Sequence, residues 1–303
     1  MNKTNKHILL TGGTGLIGQK LTQQLLNTGY IVSHLSRSPG SDARIKTFKW
    51  DIDKGQIDEN CLDGVDVIVH LAGAGVADKH WTARRKKEIV DSRIKSIELI
   101  YELLRNKQHK VNAVISASAT GYYGDRGAEL LTEISPPGND FLAKCCIVWE
   151  DAVDTGKELD LRIVILRTGV VLNKKGALAK MGAPIKLGLG SPLGNGKQCV
   201  PWIHSQDVID MYQYALENEE IAGVYNMAAP TPVTNKQLTQ AIAKQLDKPL
   251  WLPPVPSFIL KVLLGEMASI VLASTKVSVK EIENAGFQFK YPDVEPALKD
   301  IYG

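Results

Sequence analysis

Short, nearly continuous apolar runs alternate along the chain with stretches in which apolar residues recur every three or four positions. The runs are HILLTG (7–12), YIVSHLS (30–36), VDVIVHLAG (65–73), VNAVISAS (111–118), LRIVILRTGVVL (161–172) and VYNMAA (224–229). Helical spacing lies between them: Leu21, Leu25 and Leu26 leading to Asn27, then a face of Val90, Ile94, Ile97, Tyr101 and Leu104. It returns from about Asp140 to Thr155 and near Val208 to Leu216. A strand rich in Val, Ile and Leu on both faces is covered on both faces, and helices supply the cover. The pattern predicts an α/β fold, a doubly wound parallel sheet of the Rossmann kind.

Composition changes after about Lys174. Residues 182–202 read GAPIKLGLGSPLGNGKQCVPW, and KPLWLPPVPS marks a second break at 248–257. These segments divide the chain into a Rossmann domain, 1–175 completed by about 203–232, and a smaller C-terminal α-rich part, 176–202 and 245–303. The smaller part is expected to cap the carboxyl ends of the strands on the substrate side. Phe258 to Ala273 is the most apolar stretch, but Lys261, Gly265 and Glu266 interrupt it, so a buried helix is expected rather than a membrane span.

The 303 residues are 44% hydrophobic and 23% charged, with a net charge of +3. So mild a charge, with acids and bases interspersed, indicates no nucleic-acid partner. The start, MNKTNK, runs straight into a strand without a secretory leader, so a cytoplasmic location is expected. Cys61, Cys145, Cys146 and Cys199 show no metal-ligand spacing; thiols are expected, and no metal. Arg84, Arg85, Lys86 and Lys87 open a helix, either as a solvated turn or near nucleotide phosphates.

The most informative segment is TGGTGLIG, 11–18, between the first run and the first helix. Gly13, Gly15 and Gly18 satisfy GxGxxG; Gly12, Gly15 and Gly18 satisfy GxxGxxG. Glycines there permit a tight turn and close backbone approach to a pyrophosphate, and the helix N-terminus attracts the anion. Gly12, Gly13, Thr14, Gly15, Leu16, Ile17 and Gly18 are therefore the expected cofactor cradle. Where an NAD-binding protein places an acid on the ribose, this chain has Ser36 and Arg37, which suit a 2′-phosphate and point to NADP(H). Leu71, Ala72 and Gly73, in HLAGAG, let a ribose or nicotinamide lie against the backbone, although packing alone also explains small residues.

TGGTGLIG, HLAGAG and ISASATGYYG resemble the short-chain dehydrogenase/reductase superfamily, in its extended, nucleotide-sugar-epimerase-like branch. HWTARRKKEIVDSRI, LRTGVVL, LGSPLGNGKQCVPWIHSQDV, GEMA and AGFQFKYPDVEPALKDI resemble its atypical subgroup, the epimerase family proteins of the YfcH type. The superfamily uses a Ser to hold the substrate oxygen, a Tyr to exchange its proton, and the Lys of YxxxK to lower the tyrosine pKa. Moving that pKa from about 10 toward 7 takes roughly 4 kcal/mol. Ser118 matches the serine, ahead of Ser116. Phe141 stands for the Tyr and Cys145 for the Lys, so the resemblance implies a site without its usual acid.

Substitutes are at hand. Tyr122 and Tyr123 follow Ser118 in a loop, as general acids or as aromatic packing. Cys145 is either a thiol acid or a small buried hydrophobe. His204 is a substrate candidate, with Asp207 or Ser205 the expected helix cap; Arg167 meets either an anionic substrate or a structural ion pair. By resemblance Arg93 and Glu88 lie near the cofactor, and Glu88 otherwise pairs with Arg84 or Arg85. Three activities remain open: NADP(H)-linked hydride transfer on a small carbonyl or hydroxyl substrate, NADPH sensing without turnover, and nucleotide-sugar epimerisation.

Overall fold

The computed structural model describes residues 6–40 and 42–303; residues 1–5, read for a leader, lie outside it. Eight strands make one sheet: β1 (His7–Thr11), β2 (Ile31–Ser36), β3 (Lys46–Asp51), β4 (Gln56–Ile57), β5 (Val67–His70), β6 (Ala113–Ala119), β7 (Arg162–Thr168) and β8 (Gly223–Met227). Their order is β4-β3-β2-β1-β5-β6-β7-β8, parallel throughout except for the β3–β4 pair at one edge. The order reverses between β1 and β5, the place where such sheets open a crevice beyond their carboxyl ends.

The continuous apolar runs are explained by two cores. Ile8 and Leu10, Val67 and Val69, Ala113 and Ile115, and Val164 and Leu166 face one core, with Leu21 and Leu25 of α1 (Leu16–Asn27). Leu9, Ile68, Val114, Ile163 and Ile165 face the other. That second core is closed by Ile97, Ile100 and Leu104 of α2 (Ala83–Asn106) and by Trp149 and Val153 of α3 (Phe141–Asp154). Successive residues of a strand point to opposite faces, so a strand between two helical layers is apolar at most positions, and the polar residues it keeps, such as His70 and Ser116, are hydrogen-bonded in the interior.

A third core joins α4 (Ala177–Lys186), α6 (Asn235–Gln245) and the C-terminal helix Val294–Tyr302 through Leu178, Ile185, Leu238, Ile242, Leu298 and Ile301. α6, which the sequence reading left between its two parts, thus packs with the smaller one. α5 (Ser205–Glu217) lies beside α1 in the first core.

Two sequence expectations change, and one strand is added. LRIVILRTGVVL is two strands: Val170–Leu172 leaves the sheet after Gly169 and pairs in parallel with Trp202–His204. A Cβ on Gly169 would stand 2.5 Å from the Pro201 carbonyl oxygen, so only glycine allows that crossing. Phe258 to Ala273 is not one buried helix. α7 (Ser257–Leu264) stops at Gly265, whose φ of +58° is left-handed, and short turns follow. Phe258, Val262 and Leu263 of α7 are exposed; only Leu260 of that helix is buried. β3 carried no recognised signal, because its alternation of Phe48 and Trp50 with Thr47, Lys49 and Asp51 belongs to a half-exposed strand near the sheet edge. No described helix is long and apolar enough to cross a membrane.

Candidate functional site

The glycine-rich turn sits at the reversal between β1 and β5. Gly12 has φ +68°, and a Cβ there would lie 2.9 Å from the Leu71 carbonyl, so the turns after the two strands touch backbone to backbone. Thr11 Oγ1 fastens them by accepting from the Leu71 and Ala72 amides, both at 3.0 Å. A Cβ on Gly18 would fall 2.3 Å from the Gly12 oxygen, so α1 starts directly over the turn. Gly15 caps α1 without a side chain, and the first turn of α1 holds no acid, leaving its amides and positive end for an anion. Gly13 makes room for a residue the sequence reading passed over. The buried imidazole of His34 fills the space of its Cβ and meets Thr22 Oγ1 at 2.8 Å. Burial holds His34 below its ordinary pKa, with Asp42 opposing, so the packed ring is neutral.

At the end of β2, Ser36 Oγ accepts from the Ser38 amide, while exposed Arg37 makes no hydrogen bond or ion pair among the described residues. A second guanidinium reaches the same edge. Arg44 grips Asp42 through two hydrogen bonds, of 3.0 and 2.7 Å, and donates to Gln23 of α1 at 3.2 Å. Those bonds hold the Asp42 carboxyl down to about 2.

Beyond β5, Arg93 lies behind the turn. It donates to the Ala74 and Ile89 carbonyls at 3.0 and 2.8 Å, its guanidinium sits 4.9 Å over the Trp149 ring, and a Cβ on Gly73 would press on it. Arg93 thus fixes the Gly73–Ala74 turn from below. Arg85, from the basic run, is buried and donates to the Gly75 carbonyl at 2.5 Å. Glu88 is exposed and pairs with Arg85 at 2.8 Å, the surface partnership left open above; it approaches the turn only through that arginine.

The expected acids are redistributed. Phe141, in the tyrosine position, is covered edge-on by Trp81 (4.8 Å) and by the Lys86 ammonium (5.3 Å), and Lys86 also pairs with Glu266 of the GEMA turn. That pair bridges α2 to the C-terminal part beside a cavity of about 680 Å³ lined by Asp125, Gln198, Lys261 and Glu266. Cys145 is buried beneath; desolvation pushes its thiol up, against the pull of Arg93, so it is no thiolate. Ser118 is buried too, and donates to Glu150 Oε1 at 2.5 Å. Glu150 takes Arg167 Nε and Nη2 at 2.9 and 2.7 Å, and Arg167 Nη1 donates to the Tyr123 hydroxyl (2.9 Å) and the Glu133 carbonyl (3.0 Å). Tyr123 in turn donates to Asn226 Oδ1 at 2.8 Å and is fully buried, which raises its pKa against the opposing charge of Arg167. Burial also works against the charge of Arg167, but Glu150 outweighs it. Arg167 is therefore a structural cation here, and Tyr123 a core residue. Tyr122 lies over Arg167, 3.4 Å from ring to guanidinium, half-buried and with its hydroxyl unbonded among the described residues. Glu150 was missed because its sequence neighbours place it on an apolar helix face.

His204 stands apart, on Trp202–His204. It caps α5 itself: its Nδ1 accepts from the Gln206 amide at 3.1 Å, in place of the expected Asp207 or Ser205. Asp207 instead accepts from the Lys290 and Tyr291 amides.

A glycine cradle at the reversal of a parallel sheet, under an acid-free helix N-terminus, defines a dinucleotide-binding Rossmann protein of the short-chain dehydrogenase/reductase kind. The chain belongs to the NAD dependent epimerase/dehydratase family, whose model matches residues 8–228, and a domain of unknown function (DUF1731) matches 255–301. It is 37% identical over 301 residues to the chloroplastic epimerase family protein SDR39U1 homolog of Arabidopsis thaliana, covering 97% of this chain and 86% of that one. It is 36% identical to the epimerase family protein YfhF of Bacillus subtilis over 97% of both. Among solved structures, human epimerase family protein SDR39U1 (isoform 2) with NADPH superposes with a TM-score of 0.85 at 30% identity, covering 98% of this chain and 99% of that one.

Proposed function

We propose that the protein is an NADP(H)-dependent oxidoreductase acting on a small carbonyl or hydroxyl compound. The observation that carries the reading is the pairing of the Gly12–Gly18 cradle with Arg37, which has no partner among the described residues and stands where a ribose-binding acid would otherwise be. Leu71, Ala72 and Gly73 would lie along the cofactor, and Ser36 and Arg37 would meet the 2′-phosphate. The NADPH named with the human relative supports the same choice. The cofactor, when bound, supplies or accepts the hydride.

This chain's own groups do the rest. With its proton turned to Glu150, Ser118 offers lone pairs to a substrate hydroxyl, and a proton received there has a carboxylate behind it. Tyr122, or water, exchanges the proton at the open side. Tyr123 and Cys145 hold the frame; Phe141, Trp81 and Lys86 wall the site. Transfer of deuterium from 4-deuterated NADPH into a panel of carbonyl compounds tests the reading. Incorporation that Ser118→Ala abolishes supports it, and absence of incorporation across the panel contradicts it.

A second reading has its own support: Phe141, Cys145 and the committed Ser118 proton also suit a protein that binds NADPH without turnover. Complete inertness of the bound nicotinamide, with tight binding, would favour it. Epimerisation, the activity named for a 31% identical Corynebacterium glutamicum relative of which this chain covers 59%, needs oxidised cofactor and a base. Arg37 and the hydrogen-bonded Ser118 give it less support.

A further inference from the structure

Between α1, the loop after Val170–Leu172 and the C-terminal helix lies a cavity of about 400 Å³. Lys20, Lys174, Lys175, Lys290, His204 and Asp300 line it, and with the glycine cradle it shares only Leu16. His204 is 4% exposed. Because its Nδ1 accepts from the Gln206 amide, the ring proton sits on Nε2, and that buried N–H has no hydrogen-bond partner among the described residues. Asp300 Oδ2 lies 3.4 Å away, within ion-pair reach of the ring but not hydrogen-bonded to it. The ring is pinned by Tyr291, centroids 3.9 Å apart, whose hydroxyl donates to Asp300 Oδ1 at 2.7 Å. A buried donor held this firmly without an acceptor marks a place where an acceptor is supplied from outside.

The wall around it is cationic. Lys20 donates to Ser205 Oγ at 2.8 Å, and neither Lys174 nor Lys175 makes an ion pair among the described residues. Four lysines and one acid, Asp300, line the cavity, and the Lys290 ammonium lies 5.4 Å from the Tyr291 ring centre. Asp207, nearby, spends its oxygens on the Lys290 and Tyr291 amides, and Asp210 accepts from Gln24 and Gln206.

We propose that this cavity binds a phosphoryl group, independently of the dinucleotide cradle. His204 Nε2–H donates to one phosphoryl oxygen and the lysines balance the charge. Asp300 accepts from a hydroxyl, so the fit is to a hydroxyl-bearing phosphate monoester or to hydrogen phosphate itself.

The test uses the full-length protein with and without NADPH. Glycerol phosphate, inorganic phosphate and sulfate are titrated at matched ionic strength, following binding heat and the His204 Nε2–H signal by NMR. Saturable phosphate binding at one site, unchanged by NADPH and weakened roughly tenfold or more in the surface double variant Lys20→Ala/Lys290→Ala, supports the proposal. His204→Asn, which keeps an oxygen to cap Gln206, should also weaken it. Tighter glycerol phosphate identifies an ester as the ligand, and equal affinities identify phosphate. Absence of saturable binding overturns the proposal, as do loss of binding once NADPH is present, sulfate binding of equal strength, or indifference to the lysine variant.

Discussion

Ser118 and Glu150 are joined by a 2.5 Å hydrogen bond from the serine hydroxyl to the carboxylate, thirty-two residues apart and both buried. Glu150 is in turn clamped by the guanidinium of Arg167. Ser118 is therefore anchored in the interior through an ion pair between α3 and β7. That pair sets the serine's orientation.

Arg167→Met removes the cation and leaves a carboxylate buried beside Ser118. Breaking a buried pair from one side should cost about 3–5 kcal/mol, read by denaturant unfolding at neutral pH. Arg167→Lys should recover little of it, because one ammonium cannot reproduce the paired bonds to Glu150. A loss under about 1 kcal/mol for Arg167→Met would show that the network does not hold the site together.

Reinstating the absent dyad should succeed at one position and fail at the other. Phe141→Tyr adds a hydroxyl to a ring lying between Trp81 and Lys86 at a half-buried position, and should leave the melting temperature within a few degrees. Cys145→Lys puts an ammonium into a buried site close to Arg93, and should cost several kcal/mol in thermal unfolding. An unchanged stability for Cys145→Lys would mean that the cleft reaches Cys145.

Gly18→Ala places a methyl 2.3 Å from the Gly12 oxygen. The turn must give way, with a stability loss of about 1–3 kcal/mol and weakened binding of both NADPH and NADH. Calorimetric unfolding and cofactor titration of the same preparation read the two effects together. Normal affinity would show that the cradle tolerates displacement of its helix.

His70 supplies a pH dependence. It is fully buried between Ser96 Oγ at 2.8 Å and Ser116 Oγ at 3.3 Å, and burial, reinforced by Arg93, lowers its pKa from 6.5 to about 3. The unfolded chain takes up this proton near pH 6.5 and the folded one only near 3. The contribution of His70 is thus complete above 6.5 and is lost as pH falls, by about 2 kcal/mol at pH 5. Denaturant unfolding between pH 7.5 and 5 should show a shallower fall for His70→Gln than for the parent; parallel curves would refute the assignment.

The sheet was legible because a strand covered on both faces is written as an unbroken apolar run, and α2 because one face repeats at helical spacing. The glycine cradle was legible for a different reason: its constraint is steric, and Gly12 and Gly18 admit no other residue. β3 and the break at Gly169 were not legible, since a half-exposed strand next to the sheet edge mixes its pattern and a chain crossing depends on Pro201, thirty-two residues away. The same limit applied to chemistry. Arg167 and Tyr123 sit where a catalytic group would, and only the distant partners Glu150 and Asn226 reveal that both are committed. Glu150 and His34 escaped notice because a polar residue in an apolar stretch gives no sign of what it will bond.

The proposed function requires Arg37 to select the phosphorylated cofactor. Titration of cofactor-stripped protein with NADPH and NADH by nicotinamide fluorescence, beside Arg37→Glu, tests it most directly. The prediction is a preference for NADPH of about ten- to hundredfold that the variant abolishes while NADH binding survives, as expected for one charge-assisted contact. Equal affinities in the parent protein, or a preference that Arg37→Glu leaves intact, would contradict it.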